Sequence, residues 1–470
     1  FFNKNCQIFY TTMIMKKVIL CAGALMFGAV TFGQQTSPSA SSATPLAGSP
    51  ANANVVETNQ WGTDQRVKVH QVGESNSAKA TQYNQLGSYD NNEAYIRQSG
   101  PTGFFGDYAD DNVAESKQRG YQNETAIIQS GDRNNALSKQ GIGTSGVAVR
   151  NRSLIVQGGD DAGALDQSED NFATTIQAGD YNSSIIRQDD DNNEADVDQN
   201  GDHNKVEVNQ DSWTPLSEAD GHYADVDQDG DHNEALVEQD GYGGSNEAYT
   251  TQDGAYNDAY QSQNNNNGSG AMANVATINQ IDSYVADAYQ KQKGEGNEAT
   301  IDQTGGEYYP DYDSNYAEQK QYGDGNEASI DQTFTYAGVF ESASDNYAKQ
   351  YQKGDNNEAS LTQTGNSNKS RQIQYGDDNM VTSVQDGEDN KLNTWQFGDD
   401  NHAMSTQLGI GNHALMVQHD GQSGEVYQSG YGNSADIFQA GPFGGAAQSC
   451  GFDDPLNIPS PDHAPSIDVQ

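Results

Sequence analysis

The chain has 470 residues, a formal net charge of −45, and only 23 Lys and Arg against 68 Asp and Glu. With 33% hydrophobic residues and 50 glycines it falls well below the roughly half apolar content of ordinary globular domains. That excludes a thick single core, and the scarcity of clustered cations excludes a partner bound through a nucleic-acid phosphate backbone. The acid reads as a solvated surface.

Residues 1–14 read as over-extended translation, with Met15 as the preferred initiator. Residues 15–33 read as a secretory signal: Lys16 and Lys17 precede the apolar run Val18 to Val30, and small residues follow at a cleavage region around Thr31 to Gln34. The run is too short for a comfortable membrane span, and no other stretch approaches the required ~20 apolar residues, so no span is expected in the mature chain. Cys21 lies only a few residues past Lys17, too early for a lipoprotein signal. Cys450 is then the one cysteine left after cleavage, and no internal disulfide is expected. Residues 34–53 have the Ser, Ala, Pro and Thr content of a flexible linker.

Residues 54–441 are a repeat. Thirty-one units of the form N-x-A-x-x-x-Q-x-G-x-x, closed by glutamines from Gln60 to Gln439, fill the segment. Asn357, Asn368, Asn379, Asn390, Asn401 and Asn412 recur every eleven residues, followed six later by Gln363, Gln374, Gln385, Gln396, Gln407 and Gln418. Numbering the Asn as position 0, positions 0, 2, 4 and 6 share one face of an extended strand. In one unit Asn326, Ala328, Ile330 and Gln332 point inward while Glu327, Ser329 and Asp331 point outward. Period two argues strand and not helix.

Position 4 alternates between aliphatic and amide in successive units: Ile278, Gln290, Ile301, Gln319, Ile330, Gln350, Leu361, Gln372. Like follows like every second unit. The fold class expected is therefore all-β: a β-solenoid of stacked strand-turn-strand coils, two 11-residue units per coil, with Ile278, Ile301, Ile330 and Leu361 as a core column in one sheet and the glutamines in the facing sheet. Recurrent GDHN, GDGN and GDDN strings are the turns, with Gly tolerating positive φ and Asp and Asn bonding their own backbone. Longer connections at Ser212 to Gly221, Asn264 to Ala273, Gly305 to Ser314 and Phe334 to Asp345 are expected to bulge out without breaking the stack. Residues 442–470 abandon the period and form an irregular, Pro-containing tail.

The unit N-x-A-x-x-x-Q-x-G closely resembles the repeat of curlins, the subunits of curli, the extracellular functional amyloid fibres of bacteria. The resemblance covers roughly Asn54 to Gly441. It implies a secreted two-sheet β-solenoid that polymerises end to end into cell-surface fibres for adhesion and biofilm matrix. The partners implied are other copies in a homo-polymer, a curli-type nucleator and outer-membrane export machinery. The chain has far more units than a typical major curlin, and long insertions besides. Asn326 with Gln332, Asn357 with Gln363, Asn368 with Gln374, Asn379 with Gln385, Asn390 with Gln396, Asn401 with Gln407 and Asn412 with Gln418 are the candidate ladder residues, since stacked amides bond along the stacking axis in cross-β structures. Outward Glu298, Glu327 and Glu358 are expected to stack in one ladder and to oppose assembly through like charge.

His203 and His232 occupy identical GDHN turns two units apart, beside Asp202 and Asp231. They read as solvated turn residues, because no Cys or further His completes a ligand set. Calcium-binding β-rolls carry a nine-residue repeat and the period here is eleven, so no metal or cofactor is expected; a chelator that unfolds the protein would reverse this. Asn182-Ser183-Ser184 and Asn123-Glu124-Thr125 match a glycosylation acceptor but arise from the register. Outward Tyr316 and Tyr347 read as ladder packing in preference to an adhesive surface. No nucleophile elbow, phosphate loop or singled-out carboxylate pair points to an enzyme. The alternative reading is a capped, non-polymerising surface adhesin or a calcium-stabilised β-solenoid.

Overall fold

A computed structural model describes residues 53–83, 91–99, 110–141, 148–158, 168–212, 221–241, 245–265, 272–305, 315–334 and 346–440. The leader, the signal and almost all of the linker lie outside them, as do the 442–470 tail, Cys450, and the central parts of the four long connections. Contacts divide the chain into Phe1–Pro38, outside the described residues, and Ser39–Gln470; every strand of the repeat belongs to the second unit.

Alternate units go to opposite sheets. One sheet has a continuous path of 15 parallel strands from Val55–Trp61 to Ser423–Tyr431, and the other is 15-stranded, from Arg66–Gln71 to Ser434–Ala440. Thirty strands thus carry the repeat, one fewer than the units counted in the sequence; the extra short strand, Ala148–Val149, pairs off the path with Gly120 and Tyr121. No helix occurs among the described residues. Two units per coil is the observed arrangement: Glu298 pairs with Glu327 and Glu327 with Glu358, while Tyr316 pairs with Tyr347 in the other sheet.

The strands form because each unit alternates buried and exposed residues with the period of the pleat, as in Glu327–Thr333. Ile278, Ile301 and Ile330 are fully buried and Leu361 nearly so, stacked in register in the first sheet. The second sheet faces them with Gln261, Gln290, Gln319, Gln350 and Gln372, joined by side-chain hydrogen bonds of 2.7–3.1 Å. Each also donates Nε2–H to a backbone carbonyl of the facing strand, Gln290 to Thr277 and Gln319 to Thr300, so these buried amides are satisfied, as burial requires.

Toward the N-terminal side the aliphatic column changes sheet. Ile96, Ile127, Ile155, Ile186, Val208 and Val237 stack in the second sheet, while Ser116, Ser138 and Thr175 occupy the first. Between the two regimes Thr250 Oγ1 donates to Gln261 Oε1 at 2.9 Å. The core is narrow: aliphatic bulk on one side matches small or amide groups on the other, except in two coils where the smaller valine fills both sides, Val197 and Val226 in the first sheet with Val208 and Val237 in the second.

The long insertions leave register intact: Glu327–Thr333 and Glu358–Asn366 pair residue for residue across the connection after Phe334.

Candidate functional site

Repetition itself is the functional feature, and a single coil shows its geometry. Asn326 is buried where the chain enters a strand. Its backbone N–H and Nδ2–H both donate to Asn297 Oδ1 at 3.0 Å, and its Nδ2–H donates also to the Gly354 carbonyl of the next coil at 2.8 Å. Asn357 repeats this onto Asn326 and Gly376, and the column continues through Asn379 and Asn401. Asn368, Asn390 and Asn412 form the equivalent column at the other sheet. The run of Asn spaced by eleven is thus two interleaved columns.

At the strand's far end Gln332 donates Nε2–H to Gln363 Oε1 at 2.8 Å and to the Tyr316 carbonyl of the facing sheet at 3.1 Å. Gln363, Gln385, Gln407 and Gln428 continue that column, and Gln374, Gln396, Gln418 and Gln439 form its counterpart. Each glutamine therefore ties coil to coil and sheet to sheet. Every link in the Gln columns runs the same way, Nε2 of one coil onto Oε1 of the next, so the ladder is polar along the stack.

The turns add a third ladder that the sequence reading missed. Asp355 Oδ1 accepts the backbone N–H of Asp324, Asp377 that of Asp355, and Asp399 that of Asp377, each at 2.9 Å. The turn aspartates thus bond the neighbouring coil, and the left-handed residue after each (Asn356 φ 55°, Asp378 φ 55°) adds a bond along the stack, Asn356 donating its backbone N–H to the Asp324 carbonyl and Asp378 to the Asp355 carbonyl. The asparagines do in part bond back, as Asn401 to Phe397 and Asn412 to Leu408. An Asp two residues before the Asn at each of these tight turns was the available signal. The preceding Gly is required on two counts: at Gly354 φ is 126°, and a Cβ there would stand 2.1 Å from the Gly376 carbonyl oxygen.

His203 and His232 stack at 4.7 Å between Tyr181 and Tyr256, along one exposed edge of the solenoid turns. Among the described residues no group of three or more His, Cys, Asp or Glu is placed to hold a metal. Asn182 and Asn123, the glycosylation-like positions, are fully buried in the Asn columns. Tyr316 and Tyr347 stack at 5.0 Å and are buried, so they are not an exposed adhesive surface.

A second missed residue is His222, which stands where Asn normally opens a unit and is buried. Its backbone N–H donates to Asn193 Oδ1, as an Asn would. Nδ1 accepts the Asn246 backbone N–H at 3.1 Å, and Nε2 lies 2.9 Å from the Asp211 carbonyl. An N–H can only donate and a carbonyl only accept, so the ring is the neutral Nε2–H tautomer. Burial pushes its pKa down to about 4. Reading the unit frame strictly would have found it, since Ala224 and Gln228 follow at the right offsets.

Charge is sorted between the outer faces. All eight cations after Lys205, namely Lys291, Lys293, Lys320, Lys349, Lys353, Lys369, Arg371 and Lys391, lie on outward positions of the second sheet. Tyr322, Tyr351, Tyr375, Phe397 and His419 run beside them as a ring ladder with 5.0–5.8 Å between centroids. The first sheet answers in the same coils with Glu298, Glu327 and Glu358 in register, and with Asp302 paired to Asp331. Burial, then the charges of Glu358 and Glu298, raise the Glu327 carboxyl above its ordinary range.

These features define a class: a parallel two-sheet β-solenoid zipped by buried amide columns. The family model for the curlin associated repeat matches the chain at residues 220–254 and 354–387, and the chain carries curlin associated repeats in both segments. No curated protein matches it. No helix of the described residues is long and apolar enough to cross a membrane.

Proposed function

We propose that the chain is a secreted structural subunit that adds end to end into curli-like extracellular fibres serving cell adhesion and biofilm matrix. The observation that carries this is the polarity of the Gln columns at their two ends. In the last described coil Gln428 and Gln439 donate to the His413 and Ser423 carbonyls, and among the described residues no further glutamine Oε1 follows along the stack. In the first, Gln60 and Gln71 donate onward to Gln82 and Gln98, and their own Oε1 atoms accept from no earlier glutamine among the described residues. Among the described residues, one end therefore presents amide donors and the other amide acceptors at the same strand positions, above parallel strand edges that pair with no further described strand and can template further strands. Head-to-tail contact continues every ladder, and a heterologous contact of this kind does not close.

The curlin repeat match supports the same reading. On it, the partners are further copies, a curli-type nucleator and outer-membrane export machinery, and the site of action is the cell surface. Electron microscopy and fibre diffraction of the mature chain at moderate ionic strength test it. Fibres with reflections near 4.7 and 10 Å are expected; a persistently monodisperse, fibre-free monomer overturns it in favour of a capped adhesin.

A further inference from the structure

The chain carries −45 overall, yet its C-terminal half keeps every cation on one face. Among the described residues only two acids, Asp287 and Glu318, share the outward side of those five second-sheet strands. Glu318 is already taken by Lys320 and Lys349. Lys293 and Lys353 are exposed and, like Arg371, form no ion pair among the described residues; the Arg371 Nε–H has no hydrogen-bond partner. The opposite face shows the complement: Glu298, Glu327 and Glu358 stand in one column with no ion pair among the described residues, with Asp302 and Asp331 four residues along the same strands.

We propose that these two faces are a lateral interface between copies of this chain, the acidic first-sheet face of one copy docking on the cationic, tyrosine-lined second-sheet face of another. The proposal rests on the fibre reading above and adds its second dimension. Two arguments commit the surface to a second copy. Both patches recur with the strand spacing of the same fold, about 4.8 Å, so charge rows on one copy meet charge rows on the other without register mismatch. Each copy also carries both patches on opposite sides, so the contact is heterologous and leaves a free acidic face and a free cationic face after every addition. Filaments then associate side by side. Individual exposed ion pairs are weak, but a filament repeats the patch with every subunit, and multivalency makes the sum effective.

Salt separates this interface from end-to-end growth. The Debye length falls from about 10 Å at 0.1 M to about 3 Å at 1 M, which weakens pairing of opposite charges while relieving repulsion within the stacked Glu column. Cryo-electron microscopy of full-chain filaments at low salt is expected to show side-by-side filaments that separate into single, undiminished ones in 1 M sodium chloride. A K293E/K353E/R371E variant, whose second-sheet face then carries five cations against five acids and is no longer cationic, is expected to give single filaments, as is an E298K/E327K/E358K variant, whose acidic column becomes three lysines beside Asp302 and Asp331. Mixing the two is expected to restore side-by-side pairing, with the 4.7 Å reflection of each as the control for fold. Bundles that persist in the first variant, or a mixture that stays single, overturn the proposal. So does a result in which the first variant loses only binding of inorganic polyphosphate, which would assign the cationic face to an anionic polymer. Should the wild type form no filaments, the fibre reading fails, and sedimentation of the mixed soluble variants decides the lateral contact: a faster-sedimenting complex supports it and its absence overturns it.

Discussion

Asn246 donates its backbone N–H to Nδ1 of His222 at 3.1 Å, so one coil of the Asn column is carried by an imidazole that works only when neutral. Protonation would set an N–H against an N–H. Burial holds the His222 pKa near 4 against an ordinary 6.5. A depressed folded pKa means that the folded state binds fewer protons than the unfolded one. The contribution is therefore present above pH 6.5 and is lost as pH falls from 6.5 toward 4, by on the order of 3 kcal/mol at most. His222→Asn, which restores the usual ladder residue, is expected to remove this acid sensitivity in denaturant melts at pH 7 and pH 4.5. Equal losses in both proteins would show that the imidazole does not set it.

Three residues on, the sign reverses. Asp225 is pushed up to about 7, by burial first and then by Asp227, Asp196 and Asp198. Asp198, in the neighbouring coil, is pushed up to about 6 by burial and then Asp227. Raised carboxyl values mean that the folded state binds more protons, so stability from this cluster increases as pH falls from about 7 toward 4. Asp225→Asn is expected to stabilise the protein at pH 8 and to make little difference at pH 4. The check is the pH dependence of the melting temperature; a destabilised variant at pH 8 would contradict the repulsion.

Gly354 and Gly411 separate two causes of glycine dependence. Both have positive φ, but a Cβ at Gly354 would lie 2.1 Å from the Gly376 carbonyl oxygen, whereas nothing lies within 4 Å of one at Gly411. Gly411→Ala is expected to cost only the backbone strain, about 1–2 kcal/mol, and Gly354→Ala more, because the next coil must move as well. Urea unfolding of the two variants in parallel measures the difference, and equal midpoints would rule out the coil-approach account.

Fold and ladder were legible for the same physical reason. A period of eleven with an even-position face leaves one consistent strand register, and the Ile/Gln alternation at position 4 from Ile278 to Gln372 fixes two units per coil. What was not legible depended on neighbours distant in sequence. Asp355 looks like a local turn former until Asp324, 31 residues away, is seen to donate to its carboxylate. Tyr316 and Tyr347 alternate outward, which says nothing of their burial. The sorting of Lys293 and Lys353 from Glu298 and Glu327 was present in the sequence, but it becomes a pattern only when alternate units are assigned to opposite faces.

Gln332 sits between Gln303 and Gln363, accepting from one and donating to the other. Gln332→Ala deprives the Gln363 oxygen of its donor and the Gln303 amide of one acceptor, at about 1–3 kcal/mol for each buried group left unmatched. Thr333→Ala, one residue on and outward, is expected within about 0.5 kcal/mol of the parent. Chemical denaturation of the soluble chain reads both, and a Gln332 variant as stable as the Thr333 variant would mean that the column contributes specificity without stability.

Glu327 stacks between Glu298 and Glu358, and its raised carboxyl reports the cost of that column, since a raised folded value marks a charged form that the fold disfavours. Two like charges about 4.8 Å apart in water repel by roughly 1 kcal/mol, and salt reduces this. The cost is present at neutral pH and is relieved as pH falls through the folded value toward the ordinary carboxyl range. The column lies within the chain, ended by Val275 and Met380, so every copy meets this repulsion as it takes up the stacked fold during growth. Growth is therefore expected to accelerate with added salt and with acidification, and Glu327→Gln is expected to accelerate it at pH 7 while leaving the rate near pH 4 unchanged. Seeded elongation followed by light scattering at both pH values measures this; growth indifferent to salt, to pH and to the substitution would mean that the carboxylate column does not govern assembly.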